Sequence, residues 1–278
     1  MDYGAATFFT DYSMGPVALG RALEERGFES LWAPEHSHIP LSRQSPFPAG
    51  GDLPKKYYDV MDPFVTLAAA AAATARLKVA TGICLVVQRD PIQTAKEVAT
   101  LDQISGGRFL FGIGAGWNAE EMQDHGTEFK SRFRLMQERV EAMKAIWQNE
   151  EGSYRGELVK FDPIWSYPKP AQKPHPPILF GGHGEVALKR VVAYCDGWLP
   201  ISMMAGDLKK QIGELHRLAR EKGRDPRSIS ISVFWTQPDR QAIDAYGEMG
   251  AERVIFALQS ESREKVLPIL DGYAKLVR

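Results

Sequence analysis

The feature that most constrains this chain is a rhythm. Short β-branched or aromatic runs alternate with longer amphipathic stretches along the whole sequence, the pattern of repeated βα units around a parallel sheet. The runs read as strands at 5–9, 30–33, 78–87, 109–113, 177–180, 197–201, 229–235 and 254–258, each followed by a stretch of helical periodicity. Met14 to Arg26 places Val17, Leu19, Ala22 and Leu23 near a 3.6 spacing and stops at Gly27. Asp62-Pro63 and Asp90-Pro91 are cap-then-proline helix starts. This count predicts a closed (β/α)8 TIM barrel, an α/β fold, over an open doubly wound sheet, which usually has fewer strands. The 278 residues suit one such domain over 1–278. No period repeats, so a solenoid is not expected.

Two segments break the rhythm. Residues 37–60 are rich in Pro, Gly and Ser and read as a long loop, a type that in a compact domain is usually functional or mobile. Residues 150–177 carry aromatics, glycines and prolines and read as an irregular insertion before strand 5, in the form of a hairpin. The formal net charge of -1 gives no support for nucleic acid or an anionic membrane surface as partner, so a small-molecule substrate is expected. The longest apolar run, Leu67 to Ala73, is too short to span a bilayer. The start, MDYGAATFF, lacks a basic n-region, and Cys84 and Cys195 form no CxxC pair. Together these point to a cytoplasmic protein with inert thiols.

In a barrel of this kind the active site lies at the C-terminal ends of the strands, and unusual residues collect there. After the second strand comes Pro34-Glu35-His36-Ser37-His38. It reads as a surface loop, as an acid–base pair, or as a metal pair, because His-x-His in extended backbone points both rings to one side. Amidohydrolase barrels place such a pair after the first strand and need an aspartate after the last; here the last strand runs into Ala257-Leu258-Gln259-Ser260, and no metal is expected. The third strand contains Gly82, the mark of a bulge or a close approach to the backbone.

The fourth strand runs into Gly112, Gly114, Gly116, Trp117 and Asn118. The spacing is GxGxG, not the GxGxxG of a dinucleotide fold. Glycines here let a flat ligand lie against the backbone, with Trp117 as a wall and Asn118 as a hydrogen-bond partner; tight helix–strand packing is the plain alternative. After the fifth strand, Gly181-Gly182-His183-Gly184 opens a helix. Its free main-chain donors and helix dipole make a phosphate site, or else an ordinary βα turn. No GxSxG elbow, zinc-protease motif or P-loop appears.

LWAPEHSHIP, RLKVATGICLVVQRDPIQTAKEVATLDQISGGRFLFGIGAGWNAEEM and ILFGGHGEVALKRVVAYCDGWLP together resemble the luciferase-like monooxygenase family over nearly the whole chain. The likeness is greatest to its branch of oxidoreductases using the deazaflavin coenzyme F420; FMN-using members share the fold. The resemblance implies that Gly82-Ile83 forms a strand bulge, often a cis non-proline peptide, that backs the middle ring. It places Glu35 and His36 on the ring and substrate side, Gly114 and Asn118 near the ring, and Gly181, Gly182, His183 and Gly184 on the phosphate. Leu85 departs from the pattern, being apolar where some deazaflavin dehydrogenases carry a hydroxyl, which puts a sugar-phosphate substrate in doubt.

The implied activity is hydride transfer between F420 and a small organic substrate. His36 would give or take the proton, and Glu35 would orient it or serve as the acid. Three alternatives stand beside it: an FMN-dependent monooxygenase fed by a separate reductase, a non-catalytic barrel subunit that binds cofactor or protein, and a metal hydrolase using His36 and His38. Family members are often dimers, so a homodimer is expected. Phe47, Tyr57, Tyr58, Trp165 and Tyr167 of the two irregular segments suit lids over an apolar or aromatic substrate.

Overall fold

Strand β1 (Asp2–Ala6) closes the sheet, pairing in parallel with β2 (Ser30–Ala33) on one side and with the last strand, β11 (Arg253–Ala257), on the other. The computed structural model describes residues 1–277. Between these ends run β3 (Lys78–Thr81), β4 (Cys84–Leu85), β5 (Phe109–Gly114), the hairpin β6 (Gly152–Arg155) and β7 (Lys160–Ile164), β8 (Ile178–Gly181), β9 (Gly197–Leu199) and β10 (Ser230–Thr236). The order β3-β2-β1-β11-β10-β9-β8-β5-β4, with β3 also on β5, makes a closed parallel barrel. β3 and β4 are two pieces of one stave, so the staves number eight.

The barrel is a packed core. One ring of buried side chains takes a residue from each stave: Ala6, Trp32, Ala80, Leu110, Leu179, Leu199, Phe234 and Ile255. Large faces small across neighbours, with Trp32 between Ala6 and Ala80, as interdigitation requires. Ile83, Ile201 and Trp235 pack on this ring and form the floor of the mouth.

Helices α1 (Pro16–Glu25), α2 (Pro63–Ala72), α3 (Pro91–Ser105), α4 (Ala119–Asp124), α5 (Arg132–Gln148), α6 (Glu185–Tyr194), α7 (Leu208–Glu221), α8 (Arg240–Glu248) and α9 (Arg263–Val277) accompany the staves. Asp62 and Asp90 cap α2 and α3 through their carboxylates, and α3 ends on Gly106 in the left-handed region.

Three readings change in detail. The first strand lies at 2–6, ahead of the expected 5–9: Thr7 and Phe8 turn to the mouth and Phe9 packs in the core. The third strand does not run unbroken to Val87: the Gly82-Ile83 peptide is cis and splits it into β3 and β4. The insertion holds the expected hairpin, but it lies on the flank of α5 and not over the mouth. The carboxylate of Glu138, buried on α5, accepts the backbone N–H groups of Glu157, Leu158 and Val159 and ties the hairpin to the helix. Trp165 and Tyr167 are exposed there.

At the opposite end of the barrel, Glu29 accepts from Arg253 at 2.6 and 2.8 Å and pairs with Lys78 at 2.8 Å. Burial pushes the Glu29 carboxyl up, but the Arg253 hydrogen bonds and charge outweigh it and hold it at about 2. Its folded pKa is therefore below the unfolded one. The stability it contributes is full above roughly pH 4.5 and is lost as pH falls toward 2, a span of about 2–3 kcal/mol. Urea midpoints measured from pH 5 to pH 2 are expected to fall less steeply in Glu29→Gln than in the native protein. Parallel curves would rule this contribution out.

Candidate active site

The expected site residues fall on four neighbouring staves: β2, then β3 with β4, then β5, then β8. They form a continuous arc of the mouth. Ile83 is the joint of that arc. A methyl on Gly114 would sit 2.5 Å from its Cδ1, and one on Gly181 would sit 3.0 Å from its Cγ2. Both glycines thus make room for the Ile83 side chain, so Gly114 shapes the bulge through packing.

His36 and Glu35, adjacent in sequence, have separate partners. His36 is buried, and its Nδ1 lies 2.8 Å from Oε2 of the fully buried Glu121. The other Glu121 oxygen accepts the Ser37 N–H at 3.1 Å. A carboxylate only accepts, so this arrangement puts the imidazole proton on Nδ1 and leaves Nε2 as an acceptor. Nε2 has no hydrogen bond among the described residues. The ring is boxed by Tyr57 at 5.5 Å and Trp117 at 5.8 Å between centroids.

Glu35 is held elsewhere. Its Oε2 accepts the Leu85 N–H at 2.6 Å, and its Oε1 takes Arg89 at 2.5 Å. Arg89 also binds Asp62 and Glu97 and lies over Phe64. Burial lowers the Arg89 pKa, but the Glu35 charge and hydrogen bonds outweigh it and keep the guanidinium charged. Glu35 thus fastens the segment that follows the cis peptide.

Asn118 is buried, and its Oδ1 caps α4 by accepting the Glu121 N–H at 3.3 Å. Its Nδ2 has no hydrogen bond among the described residues and is the group free for a ligand. Glu121 was not singled out from sequence. Its signal was Asn118-x-x-Glu121, the spacing of a capping box. In that box the glutamate returns to its own N-cap; here it reaches across to His36 and Ser37. His38 turns to Asp124 at 2.9 Å, so the two imidazoles of His-x-His do not converge. Among the described residues no group of three or more metal-ligating side chains is placed to hold an ion.

Gly181, Gly182, His183 and Gly184 lead from β8 into α6. The Gly182 carbonyl accepts the Trp198 indole N–H at 2.8 Å, while His183 and Gly184 are exposed. Gly184 has φ +81 and open space around it. It caps α6 without a side chain, whereas Asp62, Asp90, Asn118, Asp207 and Asp239 each cap a helix with an oxygen. The first-turn N–H groups of α6 therefore have no side-chain acceptor, and the nearby Glu185 pairs with Lys189 at 2.6 Å. An uncapped helix start behind a glycine turn fits a phosphate.

The long loop behaves as a cover on one side. Ser45 is bound to Glu120 through its backbone N–H at 2.8 Å and its hydroxyl at 2.5 Å, and Phe47 packs on Tyr57 and Trp117. Phe8 stacks on the other side of Tyr57 at 4.6 Å. Burial pushes the Tyr57 hydroxyl up to about 12, so the ring stays neutral. A cavity of about 250 Å³ opens beside Phe8, lined also by Lys56, Met203, Trp235 and Gln237.

Fold and arc together define a class: a (β/α)8 barrel with a buried histidine at the mouth, a non-proline cis peptide in its third stave and a helix start without a side-chain cap on the same arc. Residues 15–265 match the luciferase-like monooxygenase family, and the chain belongs to that family of oxidoreductases and monooxygenases. It is 38% identical over 280 residues to an uncharacterised protein of Mycobacterium tuberculosis, covering 99% of this chain and 98% of that one. An FMNH2-dependent dimethylsulfone monooxygenase of Pseudomonas putida is 32% identical over 166 residues, covering 59% of this chain and 45% of its own. Among solved structures, an F420-dependent secondary alcohol dehydrogenase in complex with an F420-acetone adduct superposes with a TM-score of 0.78 at 19% identity, covering 100% of each chain. No helix among the described residues is long and apolar enough to cross a membrane.

Proposed function

We propose that the protein is an F420-dependent oxidoreductase acting on a small organic substrate, with residues 1–278 working as one barrel unit. The observation that carries the reading is the arc itself. His36 with a free Nε2, the Ile83 bulge, and the uncapped start of α6 lie on adjacent staves, as one elongated cofactor with a ring and a phosphate requires. When bound, the deazaflavin supplies a ring carbon that gives or accepts hydride. The main-chain N–H groups of Gly182, His183 and the first turn of α6 would hold the phosphate, while the Gly184 N–H donates to Gln211 Oε1 at 2.9 Å. Ile83 would back the ring, and Asn118 Nδ2 would be available to hydrogen-bond it.

His36 moves the proton. Nε2 takes it from a substrate hydroxyl, or in the protonated ring returns it to a carbonyl oxygen, while Glu121 fixes the ring and steadies its charge. Phe47, Tyr57 and Trp117 keep water from this exchange.

F420 is favoured over FMN by the resemblance of the sequence motifs to the F420-using branch; the fold is shared with monooxygenases and F420-dependent enzymes alike. The FMN reading is favoured by the 32% identity to the FMNH2-dependent monooxygenase, which covers 45% of that longer protein. Fluorescence titration with F420 and with FMN separates them: F420 is expected to bind at micromolar levels and FMN at least tenfold more weakly. The reverse order replaces the proposal with the monooxygenase reading, and no binding of either below about 1 mM removes both. A dimer, a separate cofactor reductase and a cytoplasmic location belong to the same proposal.

A further inference from the structure

Lys56, in the long loop, carries a charge that lines the barrel mouth with no counter-charge among the described residues. It lines the 250 Å³ cavity, with its ammonium 4.9 Å from the centre of the Phe8 ring. Among the described residues no carboxylate lies within ion-pair distance of it, unlike its neighbour Lys55, which pairs with Asp59. Burial lowers its pKa, and no acidic group acts to raise it again. A half-buried cation without an anion is unfavourable unless something arrives to pair with it. The Phe8 face offsets part of that cost.

The rest of the cavity limits what can arrive. Its walls are Phe8, Met203, Trp235 and Leu258, with Gln237 as a further donor. At about 250 Å³ it lies below the roughly 300–1,000 Å³ of pockets for drug-sized ligands, so its occupant is small. Lys56 with Gln237 and the Thr7 hydroxyl suits a small anion, and the apolar walls favour one carried on an apolar body, as a carboxylate is. The cavity also adjoins the proton-transfer group through a single side chain: Tyr57 stacks on Phe8 and on His36 at 4.6 and 5.5 Å. Trp235, on the cavity wall, is also part of the floor of the mouth beside Ile83.

We propose that Lys56 binds the carboxylate of the substrate, and that the enzyme acts on a small organic acid whose apolar body lies against Phe8 and Trp235. The assignment rests on the reading of the mouth as an oxidoreductase's substrate site, but its test does not need the cofactor. Benzoate is titrated into the purified protein and followed by tryptophan fluorescence, with benzyl alcohol as the uncharged analogue. Benzoate is expected to bind the native protein at least tenfold more tightly than benzyl alcohol. In Lys56→Met that preference is expected to vanish while benzyl alcohol binds as before.

Because no ion pair is removed, Lys56→Met should melt at or above the native temperature, and Lys56→Arg should retain benzoate. Equal benzoate affinity in Lys56→Met overturns the proposal, as does a large fall in melting temperature, which would make Lys56 a structural residue. F420 affinity should be the same in both proteins and unaffected by benzoate; competition between the two would give the cavity to the cofactor and overturn the substrate assignment. If F420 fails to bind while benzoate selectivity through Lys56 stands, the cofactor reading fails and the acid site survives.

Discussion

His36→Ala is expected to lower kcat by about 10²–10⁴-fold, the usual contribution of a positioned general acid or base, while cofactor affinity stays within a few-fold of native. The two readouts separate chemistry from binding. Nε2 is the free nitrogen, and it faces away from Glu121, so its loss should remove proton transfer and leave the glycine turn before α6, the proposed phosphate site, untouched. Glu121→Gln extends the test. A glutamine amide can donate to Nδ1, which favours the opposite tautomer and turns Nε2 from acceptor to donor. Its kcat should therefore fall by at least tenfold with the fold intact, and the pH profile should change shape. Equal loss of cofactor binding and kcat in His36→Ala, or activity within fivefold of native, would remove His36 from the proton-transfer role.

The periodicity showed the barrel because periodicity reports which faces are buried, and eight buried staves produce eight apolar runs. It blurred where a strand stops. Thr7 to Phe9 follow the strand without a polar break, yet they lie outside it: Thr7 and Phe8 line the mouth and Phe9 packs in the core. Val86 and Val87 are buried like strand residues but turn into a short helical segment after the cis Gly82-Ile83 bond. Composition does not encode such a bond; only the resemblance to a family led to it.

At the site, sequence marks chemistry-bearing residues and not their partners. Glu35 and His36 are adjacent in the chain, but residues in extended backbone point to opposite sides, one toward Arg89 and the other toward Glu121. Glu121 is distant in sequence from His36, and Lys56 sits in a loop without periodicity, so neither carried a signal of its own beyond the capping spacing before Glu121. In sequence the glycines read as room for a ligand; in the fold Gly114 and Gly181 are needed first by the Ile83 side chain.

Glu35→Ala is expected to destabilise the protein by about 2–4 kcal/mol, and its effect on activity should follow from that structural loss. The carboxylate is buried, and removing it deprives the Leu85 N–H of its acceptor and Arg89 of its innermost partner. An unsatisfied buried donor costs about 1–3 kcal/mol, and breaking a buried pair by deleting one side adds to it. Asp62 and Glu97 remain on Arg89, which keeps the total below that of a fully orphaned charge.

Glu35→Gln discriminates the two roles that the position allows. A glutamine oxygen can still accept from Leu85, so thermal or urea denaturation should show a smaller loss, about 1–2 kcal/mol. If Glu35 holds the segment after Gly82-Ile83, this variant keeps kcat within about tenfold of native with an unchanged pH profile, and F420 affinity weakens in Glu35→Ala because Ile83 loses its support. If Glu35 were instead the acid itself, Glu35→Gln would fold normally and lose kcat as completely as His36→Ala. The geometry favours the first outcome, since both Glu35 oxygens are engaged and only His36 presents a free proton-accepting atom.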